Sequence, residues 1–398
     1  MTMRALEIFS GAGGLAKGLA DAGFAHAALV EWNKHACTTL RENFEHIPVH
    51  GTDIKNFDFS TLGAVDVVAG GPPCQPFSLG GKHQAHDDSR DMFPHAIRAI
   101  EQLSPKAFIF ENVKGLLRSS FADYFEYILL RLSYPGLHGG HMDDWRAHLQ
   151  LLKRVDPMTH AGTRYNVQFK LLNAADFGVP QTRERVFIVG IRNDVKAQWT
   201  FPSPTHSEDR LLWDMHVSGD YWIKHGLNRH AELAQTHDAS RLHAAALTAR
   251  YGLFEPATLP WQTVRDALEN IPPPSTTHGI ADHIFRDGAR AYPGHTGSEL
   301  DWPAKTIKAG GHGVPGGENM IRYPDGSLRY FTVFEAKQIQ TFPADFKVTG
   351  AWGEAMRQIG NAVPVKLATV LGKHLKNTLQ VSTETRKEVR KAEPCCTV

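Results

Sequence analysis

Short, wholly apolar runs separated by helix-like stretches set the rhythm of the first two hundred residues. RALEIF (4–9) opens the series. It is followed by the glycine turn SGAGG (10–14) and a helix over 15–23, which Gly23 is placed to end. HAALVE (26–31) is the second run, and KHACTTLRENF (34–44) the second helix. VHGTDI (49–54), VDVVAG (65–70), AFIFENV (107–113) and RVFIVGI (185–191) continue the alternation. Runs that are apolar throughout, with helices between them, predict a mainly parallel sheet covered on both faces. The expected fold class is α/β.

From about Phe201 to Pro315 the rhythm stops, and histidine, proline, glycine and aromatic residues replace it. EAKQIQTF (335–342) and AVPVKLATVLGKHLKNTL (362–379) restore helical periodicity. A foreign segment followed by a return to the first texture predicts a discontinuous first domain, residues 1–195 with 329–380, interrupted by a second one over 196–328. The closing STETRKEVRKAEPCC is charged and poor in apolar residues, so 381–398 is expected to be a flexible tail.

Composition narrows the setting. Of 398 residues, 42% are apolar and 21% charged, which is ordinary for a globular chain with two or three domains' worth of core. No apolar stretch approaches a membrane span and no signal peptide opens the chain, so the expected compartment is cytoplasmic. The net charge is only +1, so any nucleic-acid surface must be a local patch. Four cysteines (37, 74, 395 and 396) argue against a disulfide framework. His138, His141 and His148 lie close in sequence, but no further ligand completes a zinc set, and no metal is expected.

Ligands of open parallel sheets bind beyond the carboxyl ends of the strands, and the residues with chemical character gather there. The turn after the first run suits either close approach of a ligand to backbone or simple chain reversal. Its glycines (Gly11, Gly13, Gly14, Gly18) do not form the full dinucleotide pattern, so a nucleoside such as S-adenosylmethionine fits better than a pyrophosphate. Glu31 ends the second run, where an acid can bind ribose hydroxyls. Asp53 ends the third, able to accept from an adenine amino group or to cap the next helix. Cys74 stands in a stiff Pro-Pro-Cys-Gln loop. A free cysteine is usually a small buried apolar residue, but this polar position at the ligand edge favours a thiolate nucleophile. Glu111 and Asn112 close AFIFEN. A carboxylate leaving such apolar surroundings is a candidate general acid, or else a helix cap. Arg183 and Arg185 precede or open the next run, as surface charge or as holders of a base carbonyl, a phosphate or the thiolate.

Taken in order along the chain, these residues resemble the DNA (cytosine-5)-methyltransferases, of the bacterial restriction–modification type. IFSGAGG is similar to the first motif of that family, and Glu31-Trp32 and TDI to its next cofactor motifs. GGPPCQPFS resembles the catalytic-cysteine motif, ENV the glutamate motif and QTRERVFIVG the arginine motif. LRYFTVFEAKQIQTFP and RQIGNAVPVKLA resemble the last two. The resemblance implies a Rossmann-like methyltransferase sheet with an inserted target-recognition domain. It also implies S-adenosylmethionine at Phe9, Gly11, Gly13, Glu31, Trp32, Asp53, Ile54, Pro73, Asn361 and Val363.

On the same resemblance, Cys74 attacks carbon 6 of a flipped cytosine, Glu111 stabilises or protonates the ring at N3, and Arg183 and Arg185 steady O2 and the cysteine loop. The expected partner is double-stranded DNA, with a separately acting restriction endonuclease if the enzyme is the modification half of a restriction system rather than a solitary one, and the enzyme is expected to be a monomer. Two departures stand out. Phe334 and Gln338 occupy positions where the family usually has arginine, and residues near 131–163 look inserted. The family's tRNA-methylating branch carries an extra Cys-Phe-Thr element, whereas this chain has no cysteine between Cys74 and Cys395 and a long middle segment. A non-catalytic relative would have no need of Cys74 or Glu111, and a small-molecule methyltransferase would have no need of the middle segment.

Overall fold

The protein is described from a computed structural model that covers residues 2–73, 91–139, 144–228, 238–275, 277, 279–293, 295–309 and 319–392. Seven strands form the central sheet: β1 (Arg4–Ile8), β2 (Ala25–Glu31), β3 (Val49–Gly51), β4 (Val67–Gly70), β5 (Ala107–Val113), β6 (Tyr165–Asn173) and β7 (Glu184–Arg192). Their order is β3-β2-β1-β4-β5-β7-β6. Strands β1 to β5 run parallel, and β7 runs antiparallel to both β5 and β6. The reversal of β7 brings its amino end, with Arg185, to the edge where β5 ends, since Arg185 lies opposite Val113. Strand order turns back between β1 and β4, and the loops leaving those two neighbours open a crevice.

Each long parallel strand is apolar on both faces because helices cover both. On one face α3 (Phe93–Leu103) and α4 (Ala122–Ser133) pack Phe93, Ile97, Ile100 and Ile128 against Leu6, Val68 and Phe108. On the other face α1 (Gly14–Asp21) and the long helix Val365–Ala392 cover Ala5, Val67, Ala107 and Val189. Those two helices pack closely because α1 presents glycine: a Cβ at Gly18 would stand 2.3 Å from the Ala368 Cβ, and one at Gly14 only 2.2 Å from the Val363 carbonyl oxygen. Strand β6 was not among the expected runs. It is an edge strand with only Tyr165 and Leu172 buried, and the polar residues that alternate along YNVQFKL hide it from a search for continuous apolar runs.

The stretch near 131–163 contributes α5 (Trp145–Lys153), which packs Trp145 edge-on against Tyr124 at 5.1 Å and so thickens the α4 side of the sheet. His138 bonds Glu101 at 2.8 Å and His148 bonds the Tyr127 hydroxyl at 3.0 Å, while His141 lies outside the described residues. Among the described residues no cluster could hold a metal ion, and no helix is long and apolar enough to cross a membrane.

Where the rhythm of the sequence stops, short elements replace the βα units. Helices Glu208–His216, Asp220–Lys224 and Asp238–Tyr251 surround a small core of Leu211, Met215, Tyr221, Trp222 and Trp261. A three-stranded sheet of Ser298–Glu299, Met320–Arg322 and Leu328–Tyr330 leads into helix Val333–Ile339. That helix carries both arginine departures, and the Nε2 of Gln338 is buried there without a partner among the described residues. Phe334 packs on the His283 ring at 5.5 Å, and Arg329 supplies a guanidinium that grips Glu335 with two bonds of 2.6 Å.

Two predictions arise from this packing. Gly18→Val forces Cβ into Ala368 and is expected to cost about 1–3 kcal/mol, read from the urea midpoint; an unchanged midpoint would mean that the helices are not so close. His26 of β2 finds no partner for either ring nitrogen among the described residues, and burial pushes it down to about 4. Unfolding restores a value near 6.5, so the unfolded chain takes up the proton first and stability is lost as pH falls from about 6.5 towards 4. His26→Leu should flatten that part of the stability–pH curve; an identical slope would contradict the assignment.

Candidate functional site

The crevice between the β1 and β4 loops is lined by residues that the local backbone fixes in place. After Ile8 the chain turns through Phe9 at φ +55° and Gly11 at φ +53°, a left-handed conformation unusual for phenylalanine and therefore held by its surroundings. Gly13 follows at φ +84°, and a Cβ there would strike Leu40 and Phe44 at 2.8 Å. Beside Gly11, by contrast, a Cβ would meet nothing within 4 Å among the described residues, which leaves space in front of the turn.

Glu31 organises this corner. Its Oε2 accepts from the Gly11 amide at 2.8 Å, and its Oε1 accepts from the amides of Trp32 and Asn33 at 3.0 and 2.8 Å. The carboxylate is thus locked between two loops, with Oε1 filled by its two amides and Oε2 keeping a lone pair for a further donor. Trp32 next to it is 76% exposed, a large aromatic face without cover. Asp53 follows β3, whose end is tied to this corner by the Thr52 amide on the Glu31 carbonyl at 3.0 Å. One Asp53 oxygen caps the turn Ile54–Asn56 through the Lys55 amide at 2.9 Å, and Ile54 is buried beneath it. Val363 reaches α1 through its carbonyl against Gly14, and Asn361 precedes it at the exposed end of helix Trp352–Asn361. An open space beside glycine, a fixed carboxylate, a bare indole and a second acid suit a nucleoside with ribose hydroxyls and an adenine ring.

Across the crevice, β4 ends at Gly70, whose lack of a Cβ lets it lie against the Ile8 carbonyl; a Cβ would sit 2.1 Å from that oxygen. Pro72 and Pro73 follow. Asn112 donates from Nδ2 to the Pro72 carbonyl at 3.0 Å, and the Met92 amide donates to the Pro73 carbonyl at 3.1 Å. Both ends of the 74–90 segment are therefore anchored beside the end of β5. Cys74 itself lies outside the described residues. Glu111 sits next to this anchor, its Oε2 lying 3.3 Å from the Cβ position of Gly71, and its Oε1 pairs with the Arg185 Nε at 2.8 Å. The apolar surroundings expected for Glu111 thus include a guanidinium, which β7 delivers by running antiparallel.

Arg183, expected with Arg185 to steady the base O2 and the cysteine loop, sits in a different setting from Arg185. It is fully buried, Nη1 donates to the Ile307 carbonyl at 3.1 Å, and Nη2 donates to the Gly360 carbonyl at 2.7 Å. Burial holds its guanidinium well below the usual arginine range, with Arg185 pressing the same way and Glu111 opposing. Both terminal nitrogens are committed to backbone, so Arg183 braces the fold and Arg185 alone of the two faces the Glu111 carboxylate.

Three polar neighbours of these residues carry little signal of their own in the sequence. Asn112 was read only as the companion of Glu111, although an amide beside a proline loop is a natural clamp. Gln181, fully buried, gives no periodic signal. Glu7 sits inside β1, where an acid interrupts an apolar run; burial pushes its carboxyl well up, the Ala16 amide opposes this, and Glu31 adds to it.

A sequence profile of the family described as C-5 cytosine-specific DNA methylase matches residues 3–142 and 144–377. The chain is similar to Type II methyltransferase M.NgoMIV of Neisseria gonorrhoeae, 30% identical over 385 residues that span 96% of this chain and 99% of that protein. It is also similar to Type II methyltransferase M.Eco47II of Escherichia coli, 29% identical over 94% of this chain and 79% of that one. Among solved structures, the S. pombe Dnmt2 methyltransferase superposes with a TM-score of 0.57 at 16% identity, covering 95% of this chain and 99% of that one.

The Glu111–Arg185 pair generates a stability prediction. Arg185→Met leaves a largely buried carboxylate without its cation and is expected to cost about 3 kcal/mol, whereas Glu111→Gln with Arg185 intact costs less. Urea denaturation of both variants measures this, and equal, small losses would mean that the pair is solvated.

Proposed function

The chain belongs to the C-5 cytosine-specific DNA methylase family, and from that premise we propose how its crevice performs the transfer of a methyl group to carbon 5 of cytosine within a short DNA sequence. The observation that carries the reading is the Glu111–Arg185 pair, set beside the proline loop that leads into Cys74.

S-adenosylmethionine supplies the methyl group. Phe9, Gly11, Gly13, Glu31, Trp32, Asp53, Ile54, Pro73, Asn361 and Val363 are the residues to hold it. Glu31 would face the ribose hydroxyls, the Trp32 indole would pack on the adenine, and Asp53 would accept from its amino group. A cytosine flipped out of the duplex enters from the other side. The Cys74 thiolate forms a bond to carbon 6 while Glu111 stabilises the ring at N3, so that electron density moves to carbon 5. Carbon 5 would take the methyl group as the sulfonium–methyl bond breaks and S-adenosylhomocysteine is left, and would then lose its proton to a base. The bond from carbon 6 to sulfur breaks and the cysteine leaves as thiolate. Arg185 contacts the base at O2 and keeps Glu111 oriented. Asn112 holds the Pro72 carbonyl and so sets the reach of Cys74.

Residues 1–195 and 329–380 form the catalytic and cofactor domain in this reading. Residues 196–328 form the target-recognition domain, which reads base edges in the major groove. In the sequence it also offers KTIKAGGHG (305–313) for phosphate contacts. The enzyme works as a cytoplasmic monomer, alongside a restriction endonuclease that cuts the same site when it is unmodified.

Bisulfite or enzymatic methylation sequencing of plasmid DNA from expressing cells, beside Cys74→Ala, tests this. 5-Methylcytosine at one short motif, lost in Cys74→Ala, is the expected result. Soluble protein that binds S-adenosylmethionine but leaves no mark would overturn the DNA assignment.

A further inference from the structure

The brace around Arg183 joins three stretches of chain that the proposed function gives to different ligands. The first, 179–183, leads into β7 and Arg185. The second, 304–309, belongs to the middle segment. The third contains Gln340 and the residues 359–363 that precede and include Asn361 and Val363. The Ala304 amide donates to the Pro180 carbonyl at 2.9 Å and the Thr182 amide to the Ala304 carbonyl at 2.9 Å, while the Thr306 hydroxyl donates to the Thr182 carbonyl at 2.8 Å. The Gln181 Oε1 accepts from the Ile307 amide at 2.9 Å, and its Nε2 donates to Gln340 Oε1 at 3.1 Å. Gln340 in turn donates to the Ile359 carbonyl at 2.7 Å. Arg183 closes the circuit on the carbonyls of Ile307 and Gly360.

No slack is built into this seam. Gln181, Arg183 and Gln340 are all fully buried. Gly360 lies so close to the middle segment that a Cβ would come within 2.6 Å of the Ala309 amide nitrogen. Movement of 304–309 therefore reaches Gly360 directly. Gly360 is the residue before Asn361, and three residues before Val363. A rigid guanidinium fork with one prong on each segment transmits displacement better than a flexible ammonium would. No carboxylate bonds this guanidinium, and its Nε has no partner among the described residues, so stability alone does not account for an arginine here.

We propose that Arg183 is a positioning residue that couples DNA engagement by the middle segment to cofactor affinity at the Asn361–Val363 edge. The proposal rests on the ligand assignments of the proposed function. Coupling of this kind is a ratio of affinities and is reciprocal between the two ligands.

The test is calorimetric titration of the wild-type protein, Arg183→Lys and Thr306→Val with S-adenosylhomocysteine, alone and in the presence of a duplex carrying the methylated motif. In the wild type the duplex should change the affinity for S-adenosylhomocysteine by about 5-fold or more, within the usual range of coupling. Arg183→Lys should bring that ratio close to one while binding in the absence of DNA stays within about 3-fold. Thr306→Val, which loses one bond of the seam, should lower the ratio part of the way. A wild-type ratio of one overturns the proposal, as does an unchanged ratio in Arg183→Lys. If Arg183→Lys does not fold, an unchanged ratio in Thr306→Val overturns it. Failure of the wild type to bind S-adenosylhomocysteine or the duplex at all is a different result, and it counts against the ligand assignments.

Discussion

A guanidinium sealed from water and held, among the described residues, by two backbone carbonyls is the constraint around which this molecule is arranged. Arg183 grips Ile307 and Gly360 at once, and the Gln181–Gln340 amide pair runs beside it. Removing such a group from water is costly unless its hydrogen bonds are satisfied, so the three segments must meet in one geometry or not at all. That geometry sets where β7 begins, and with it the distance from Arg185 to Glu111.

The sheet does the rest by topology. Strand order reverses between β1 and β4, so the glycine turn and the proline loop face each other across one crevice. Glu31 fixes the first of these by three amide bonds, and Asn112 fixes the second by its bond to Pro72. Each side of the crevice is thus set by a polar side chain from the neighbouring strand. Chemistry that needs reactive atoms aligned within a few tenths of an ångström rests on such second-layer bonds.

Much of this was legible in the sequence. The parallel strands β1 to β5 announced themselves as continuous apolar runs, and the residues after them, Gly11, Glu31, Asp53 and Glu111, stand at the carboxyl edge as the α/β pattern requires. Strand β6 was not legible, because an edge strand open to water alternates rather than runs. Nor was the direction of β7, since an apolar run reads the same both ways. The different settings of Arg183 and Arg185 were not legible for a related reason: two arginines in QTRER look alike in sequence, and only the fold turns one into the seam and the other towards Glu111. The departure at Phe334 and Gln338 was visible, but Arg329, which pairs with Glu335, comes from a strand just before that helix, and its pairing becomes apparent only in three dimensions.

The central claim is that a cysteine placed by this crevice attacks carbon 6 of cytosine. A duplex bearing 5-fluorocytosine at the methylated position addresses it directly, because after methyl transfer carbon 5 holds fluorine where the proton would leave, and the sulfur bond persists. With S-adenosylmethionine present, the account predicts a denaturant-resistant protein–DNA adduct whose mass equals protein, oligonucleotide and one methyl group, with the cross-link mapped by peptide mass spectrometry to Cys74. An enzyme that methylates the unmodified duplex yet forms no adduct, or forms it at another residue, would contradict the account.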